Sequence, residues 1–207
     1  MSQLLTEPQV SSSGYVTLHT SPAIELSDDE FFALCQINRD LRFERTAEGD
    51  IIIMAPTGAE TGTRNADITA QLRNWAKHNG EGVAFDSSTG FKLPNRADRS
   101  PDGAWVLRSR LATLSREEKQ KFLPLCPDFV IELLSPTDRL DSTKAKMDEY
   151  IENGSRLGWL IDPESRHVHV YRPNSLVVTM ENVSEISADP ELPGFVLDLK
   201  EIWQPNL

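Results

Sequence analysis

The apolar residues of this chain recur with two different periods, and the changes between them mark its elements. Ser27-Asp-Asp-Glu30 has the form of a capping box ahead of Phe31, Phe32, Leu34 and Cys35, so a short helix starts there. Leu41 to Thr46 and Ile51 to Met54, joined by Ala-Glu-Gly-Asp, predict a β-hairpin. Ile68, Leu72, Trp75 and Ala76 fall on one stripe of a helix from about Glu60 to His78, and Asn79-Gly80 gives its stop. One or two strands lie between Gly82 and Pro94, with Ser87-Ser-Thr-Gly90 as a bend and Phe91-Lys-Leu93 extended, and a further one spans Ala104 to Leu107. Leu114 to Phe122 reads as a brief charged helix. A buried strand at Phe129–Leu134 precedes a helix from Ser142 to Asn153, with Gly154 as its cap. Leu157–Ile161 and His167–Tyr171 flank a turn and form a second hairpin, and Leu192–Leu199 with a terminal turn closes the chain.

The order helix, hairpin, helix, strands, helix, hairpin predicts a mixed α/β or α+β fold with one central sheet and a helix on each face. Residues 1–25, Ser/Thr-rich at first and without periodicity, read as a flexible N-terminal arm. Residues 26–207 read as a single domain.

Composition narrows the function classes. At 39% hydrophobic and 26% charged residues the chain is an ordinary globular protein. No apolar stretch approaches the length of a membrane span, and no basic-then-apolar leader opens the sequence, so no membrane partner is expected. Cys35 and Cys126 fit neither a disulfide framework nor a zinc site and suit a reducing cytoplasm. The net charge of −11 argues against holding nucleic acid mainly by a basic surface. It leaves room for an acidic site filled by divalent cations, because the ions carry the local positive charge.

Glu132 breaks the apolar pattern. It lies inside Asp128-Phe-Val-Ile-Glu-Leu-Leu-Ser-Pro136, where an ionised carboxylate costs several kcal/mol unless something positive meets it. Asp102, in Ser100-Pro-Asp-Gly103 at a strand entrance, is by itself an ordinary turn residue. On a neighbouring strand it could join Glu132 in binding a hard divalent cation. Leu134, two positions on and sharing the face of Glu132, supplies no charge. Lys146, at the margin of the Met147, Tyr150 and Ile151 stripe, could reach over the sheet edge; a solvated lysine is the plain alternative. Glu60 opens a helix, where acids are routine for dipole reasons, yet it could point toward the sheet. Asp128 competes with Asp102 but stands about 13 Å along the strand from Glu132. His167 and His169 share a strand face without an evident third ligand, and an exposed hairpin face is the simpler reading. Ser135 has no histidine partner.

Glu60, Asp102, Glu132 and Lys146 thus follow the order helix acid, strand acid, strand acid, lysine. With Ser100-Pro-Asp-Gly-Ala-Trp-Val106, Pro127 to Pro136, Lys146-Met-Asp-Glu-Tyr150 and Gly158-Trp-Leu-Ile-Asp-Pro163, the chain resembles the Uma family of restriction-endonuclease-like proteins, within the PD-(D/E)XK nuclease superfamily. The resemblance covers about residues 26–203. It implies a restriction-endonuclease-like core, a central mixed sheet flanked by helices, with an N-terminal helix and hairpin. It also implies acids binding Mg²⁺ at one sheet edge, with Mn²⁺ able to substitute. The superfamily pattern places its lysine where this chain has Leu134, and the resemblance favours Lys146, rather than Lys144, as its displaced counterpart.

The expected activity is metal-dependent hydrolysis of DNA phosphodiester bonds by a cytoplasmic enzyme, a homodimer if two strands are cut. Asp102 and Glu132 would hold the metal, Glu60 would add a ligand directly or through water, and Lys146 would orient the water or stabilise phosphate charge. Two alternatives stand beside it: a nuclease-like fold kept as a binding or assembly module, and a metal-dependent phosphoesterase acting on another substrate.

Overall fold

The computed structural model describes residues 15–20 and 23–207. Its centre is a six-stranded sheet in the order β11-β10-β9-β8-β7-β4: β4 Gly82–Asp86, β7 Gly103–Leu107, β8 Phe129–Leu133, β9 Leu157–Asp162, β10 His167–Tyr171 and β11 Val178–Glu181. All neighbours run antiparallel except β8 and β9, which are parallel and joined by the helix α4, Leu140–Glu152. That crossover makes the sheet mixed. It also places a helix over the face of β8 that carries Glu132.

Both faces of the sheet are covered, which is why its inner strands read as continuous apolar runs rather than alternations. On one face Trp105, Phe129, Ile131 and Trp159 pack with Ile68, Leu72 and Ala76 of α2, Ala59–Asn79. On the other, Val106, Val130 and Leu160 pack with Met147 and Tyr150 of α4. Gly80 ends α2 in the left-handed region at φ 77°, a conformation that glycine adopts without steric cost.

The expectation of one central sheet needs correction. The N-terminal helix α1, Asp28–Ile37, forms with its complete Ser27–Glu30 capping box, and the hairpin β2–β3, Arg42–Arg45 and Ile51–Met54, forms as the pattern predicts. The hairpin, however, builds a separate five-stranded sheet, ordered β1-β3-β2-β6-β5, with β1 Tyr15–Leu18, β5 Phe91–Lys92 and β6 Asp98–Arg99. β5 falls on the stretch expected to be extended, whereas the two-residue β6 is too short to show a period. A third, two-stranded sheet pairs β12 Glu185–Ser187 with β13 Val196–Asp198, followed by α5, Lys200–Trp203. Of the expected N-terminal arm, residues 1–14 and 21–22 lie outside the described residues, and Tyr15–Leu18 is the edge strand paired with β3.

The charged helix expected at Leu114–Phe122 is a single 3-10 turn at Glu118–Gln120, and a short helix, α3, lies earlier at Arg108–Ala112. With charges all round and no apolar stripe, the later segment has no face to bury. No helix among the described residues is long and apolar enough to cross a membrane.

Close packing sets a testable limit at Gly82. A Cβ there would stand 2.2 Å from the Trp105 ring, which itself packs against the tilted Trp75 ring at 5.6 Å. Gly82→Ala is expected to cost about 1–3 kcal/mol in urea unfolding, because a ring wedged between neighbours must shift. Gly158→Ala should cost less, since the atom it meets, at 2.4 Å, is the flexible end of Met147.

Candidate functional site

Glu132 is on the same strand face as Val130, beneath α4, and is 6% exposed. The register of β7 against β8 pairs Gly103 with Ile131, so one residue further on Asp102 comes opposite Glu132. Asp102 is fixed there by two donors. The backbone N–H of Leu133 reaches Oδ2 at 2.9 Å, and the Asn65 side-chain amide of α2 reaches Oδ1 at 2.9 Å. The turn residue of Ser100-Pro-Asp-Gly103 is therefore tied to both the neighbouring strand and the helix.

The cation that Glu132 calls for comes from α4. Lys146 Nζ lies 2.9 Å from Glu132 Oε1, and the Tyr150 hydroxyl, one turn on, donates to the same oxygen at 2.9 Å. Neither contact uses Oε2. Leu134, at the position where a lysine would be expected, packs its side chain in the α4-side core instead. Lys144 is on another part of α4, where its charge acts on His169.

Lys146 has a second partner that sequence reasoning missed. Glu44 of β2 accepts its ammonium at 2.8 Å, accepts the Ser100 N–H at 2.9 Å, and lies 3.3 Å from Arg99. Arg99 in turn holds Glu149 of α4 at 2.6 Å. The result is an unbroken ion chain, Glu132–Lys146–Glu44–Arg99–Glu149, running from the central sheet to the N-terminal one. Alternation along Arg42-Phe-Glu-Arg45 points Glu44 toward water once Phe43 is placed inside, so no local signal could have found it. Asn65 and Arg99 likewise carry no mark of their role in the sequence.

Charge is unbalanced here. The carboxylates of Glu44, Asp102, Glu132 and Glu149 outnumber the cations touching them, Lys146 and Arg99. Burial is the main cause that pushes the Glu132 carboxyl up to about 7, and the negative charges of Asp102 and Glu44 add to it against the pull of Lys146. Burial also raises Asp102, opposed by the Leu133 N–H. Glu44 lies lower than usual: Lys146 and Arg99 together outweigh its burial, which is the largest single influence and opposes them. Lys146 is held charged, because Glu132 and Glu44 overcome the desolvation that would neutralise it.

These groups line a cavity of about 940 Å³ between the two sheets, floored by Asp102, Glu132 and Lys146 and walled by Tyr15, Ile52, Met54 and the segment Pro56 to Thr61. Glu60 lines the cavity too, but its side chain is 66% exposed and pairs with Arg64 at 3.2 Å rather than with the other acids. Among the described residues no three acidic, histidine or cysteine side chains converge as a ready-made metal cluster. What converges is a pair of carboxylates with a lysine.

The family profile Uma2, described as "Putative restriction endonuclease", matches residues 28–200. The chain belongs to this family. The fold has a solved counterpart in a protein from Anabaena variabilis titled a putative nuclease belonging to DUF820. The two align with a TM-score of 0.71 at 20% identity, over 86% of this chain and 97% of that one. No curated protein matches the chain.

Three other candidates fall outside the cavity. Asp128 accepts the Leu107 N–H at 2.9 Å and pairs with Arg110 at 3.0 Å, which fastens α3 to the strands. His169 is buried, not on an exposed hairpin face, because β11 covers its strand; its Nδ1 stands 2.9 Å from the Thr179 hydroxyl. His167 is 4.0 Å from Glu181. β11 has no buried face, its residues all being exposed, so no period in the sequence marks it.

Proposed function

We propose that this Uma2 family member is a divalent-metal-dependent endonuclease acting on DNA, with Asp102 and Glu132 as metal-holding carboxylates and Lys146 as the catalytic cation. The observation that carries the reading is the Asp102–Glu132 pair facing one another across β7 and β8, with Lys146 delivered onto Glu132 from the next helix.

The residues fit a hard cation. The carboxylates exceed their cationic partners, burial makes their ionisation costly, and oxygen donors are what Mg²⁺ or Mn²⁺ requires. Asp102 and Glu132 would hold the ion, water would complete its shell, and Glu60 at the cavity rim would act through water. Bound there, the ion supplies Lewis-acid polarisation of the phosphate and a lowered pKa for the attacking water.

The protein's own groups do the rest. Asn65 and the Leu133 N–H fix Asp102, and the Tyr150 hydroxyl fixes Glu132, so neither carboxylate must reorganise when charge develops. Lys146 keeps its proton and offers an N–H to a phosphate oxygen or to the water. Two copies acting together would be the simplest way to cut both strands.

Nicking of supercoiled plasmid in Mg²⁺ or Mn²⁺, stopped by EDTA, is the test. Lys146→Ala is expected to lower the rate about 10²-fold, the usual scale for losing one electrostatic stabiliser of the transition state. A parent protein that leaves the plasmid intact, or a Lys146→Ala protein that nicks equally well, defeats the proposal. Glu60→Ala should change the rate far less than Lys146→Ala, given its exposure and its pairing with Arg64.

A further inference from the structure

The cavity is closed on one side by a sheet that supplies neither of its paired acids. From that sheet comes Glu44, 3% exposed, whose Oε1 takes both the Lys146 ammonium at 2.8 Å and the Ser100 N–H at 2.9 Å. Lys146 Nζ is at the same time 2.9 Å from Glu132 Oε1. The ammonium is therefore a bridge between two carboxylates from different sheets. We propose that Glu44 is a positioning residue that works through Lys146. It anchors the ammonium from the far side, so that Lys146 stands beside Glu132 without being consumed as its counter-ion.

The physical argument turns on what lysine is. Its charge is compact, sits on a flexible four-carbon stem and has three donors with no fixed fork. One carboxylate partner would draw such a group fully onto itself. Two partners on opposite sides hold it between them and leave one donor for a phosphate oxygen. Glu44 can play this part because it is itself held, by Arg99 at 3.3 Å and by a backbone N–H, so it need not move toward the lysine. Arg99 in turn is steadied by Glu149 from the turn of α4 that follows Lys146. This inference rests on the role proposed for Lys146, and it gives the N-terminal hairpin a part in the chemistry.

Glu44→Asp keeps the charge and withdraws it by one methylene, so the reach to Lys146 is lost while Arg99 remains paired with Glu149. On the full chain, kcat for plasmid nicking is expected to fall about 10²-fold, the scale of a misplaced catalytic group, with KM changed less than about threefold. Adding Lys146→Met to Glu44→Asp should then cost nothing beyond Lys146→Met alone, because both changes remove the same function. A purely structural glutamate would give multiplied losses in the double variant, and that result overturns the proposal. Should Glu44→Asp fail to fold, the isosteric Glu44→Gln serves in the same cycle.

The crystal structure of the Glu44→Asp protein reports independently of activity. Lys146 Nζ, already 2.9 Å from Glu132, is expected to lose its contact on the Glu44 side and with it its single position, seen as a displaced Nζ or as more than one side-chain rotamer; an unmoved, singly placed ammonium overturns the inference. If the parent itself does not nick DNA, the nuclease reading fails, and the crystal structure alone then decides the positioning claim.

Discussion

Glu132→Gln is expected to reduce metal-dependent nicking by about 10³-fold while leaving the protein no less stable than the parent at pH 8. The two halves of this result have one cause. Gln keeps an oxygen for Lys146 and for the Tyr150 hydroxyl, and Lys146 keeps Glu44 at 2.8 Å, so no charge is stranded. What disappears is a carboxylate in a site with too many of them. The sign follows from where Glu132 titrates. Its carboxyl is pushed from an ordinary 4.5 up to about 7, so between those values the folded protein holds a proton that the unfolded chain has released. The stability contributed by the protonated form is complete below about 4.5 and is lost as pH rises through 7. The Gln variant escapes that loss. Its stability relative to the parent should therefore climb across this interval and level off above it, which urea titrations at several pH values would show. A variant that loses stability relative to the parent with rising pH would contradict the burial assigned to Glu132.

Arg99→Met is expected to have the opposite character: a loss of about 3–5 kcal/mol in stability, the range found when one partner is removed from a buried ion pair. Arg99 joins the last two acids of the ion chain and its side chain is 9% exposed, touching Glu44 at 3.3 Å and Glu149 at 2.6 Å. Its guanidinium is held charged because those acids outweigh its burial. Methionine fills most of the space but leaves Glu44 with Lys146 as its one cation and Glu149 with the Asn95 amide. Arg99→Lys should recover only part of the loss, since an ammonium lacks the planar fork that serves two carboxylates at once. Urea midpoints for the three proteins would rank them, and a parent-like Arg99→Met would show that the chain of charges contributes nothing to folding.

Much of the fold could be read from the sequence because its long elements are strongly periodic. The stripe Ile68, Leu72, Ala76 marked α2, and the capping box marked the start of α1 to the residue. The apolar run around Glu132 gave β8, and the polar residue inside it gave the site its first member. The two-residue β6 was lost, and β5 could be read only as an extended stretch at Phe91–Leu93, so the existence of a second sheet stayed hidden. At the candidate site the limit was different in kind. Lys146 could be proposed because it borders a helical stripe, and Asp102 because it enters a strand that could neighbour that of Glu132. Glu44 and Arg99 lie on the short strands of that second sheet, so their meeting with Lys146 depends on how two sheets pack, which no local period encodes. Glu60 shows the converse. Its place at a helix start was clear, yet its side chain points outward to Arg64.

The single parallel pair in the central sheet has a consequence for the order in which this centre comes into being. β8, α4 and β9 are consecutive in the chain and pair in register from Phe129–Leu157 to Leu133–Ile161, so Glu132, Lys146 and Tyr150 all ride on one continuous segment. Closing that loop costs less entropy than recruiting Glu44, whose hydrogen bond to Lys146 spans 102 positions. Pulse-labelled hydrogen exchange during refolding should therefore protect β8 and β9 before β2. The acid and its lysine would come together as a nascent pair, and the N-terminal strands would seal it last.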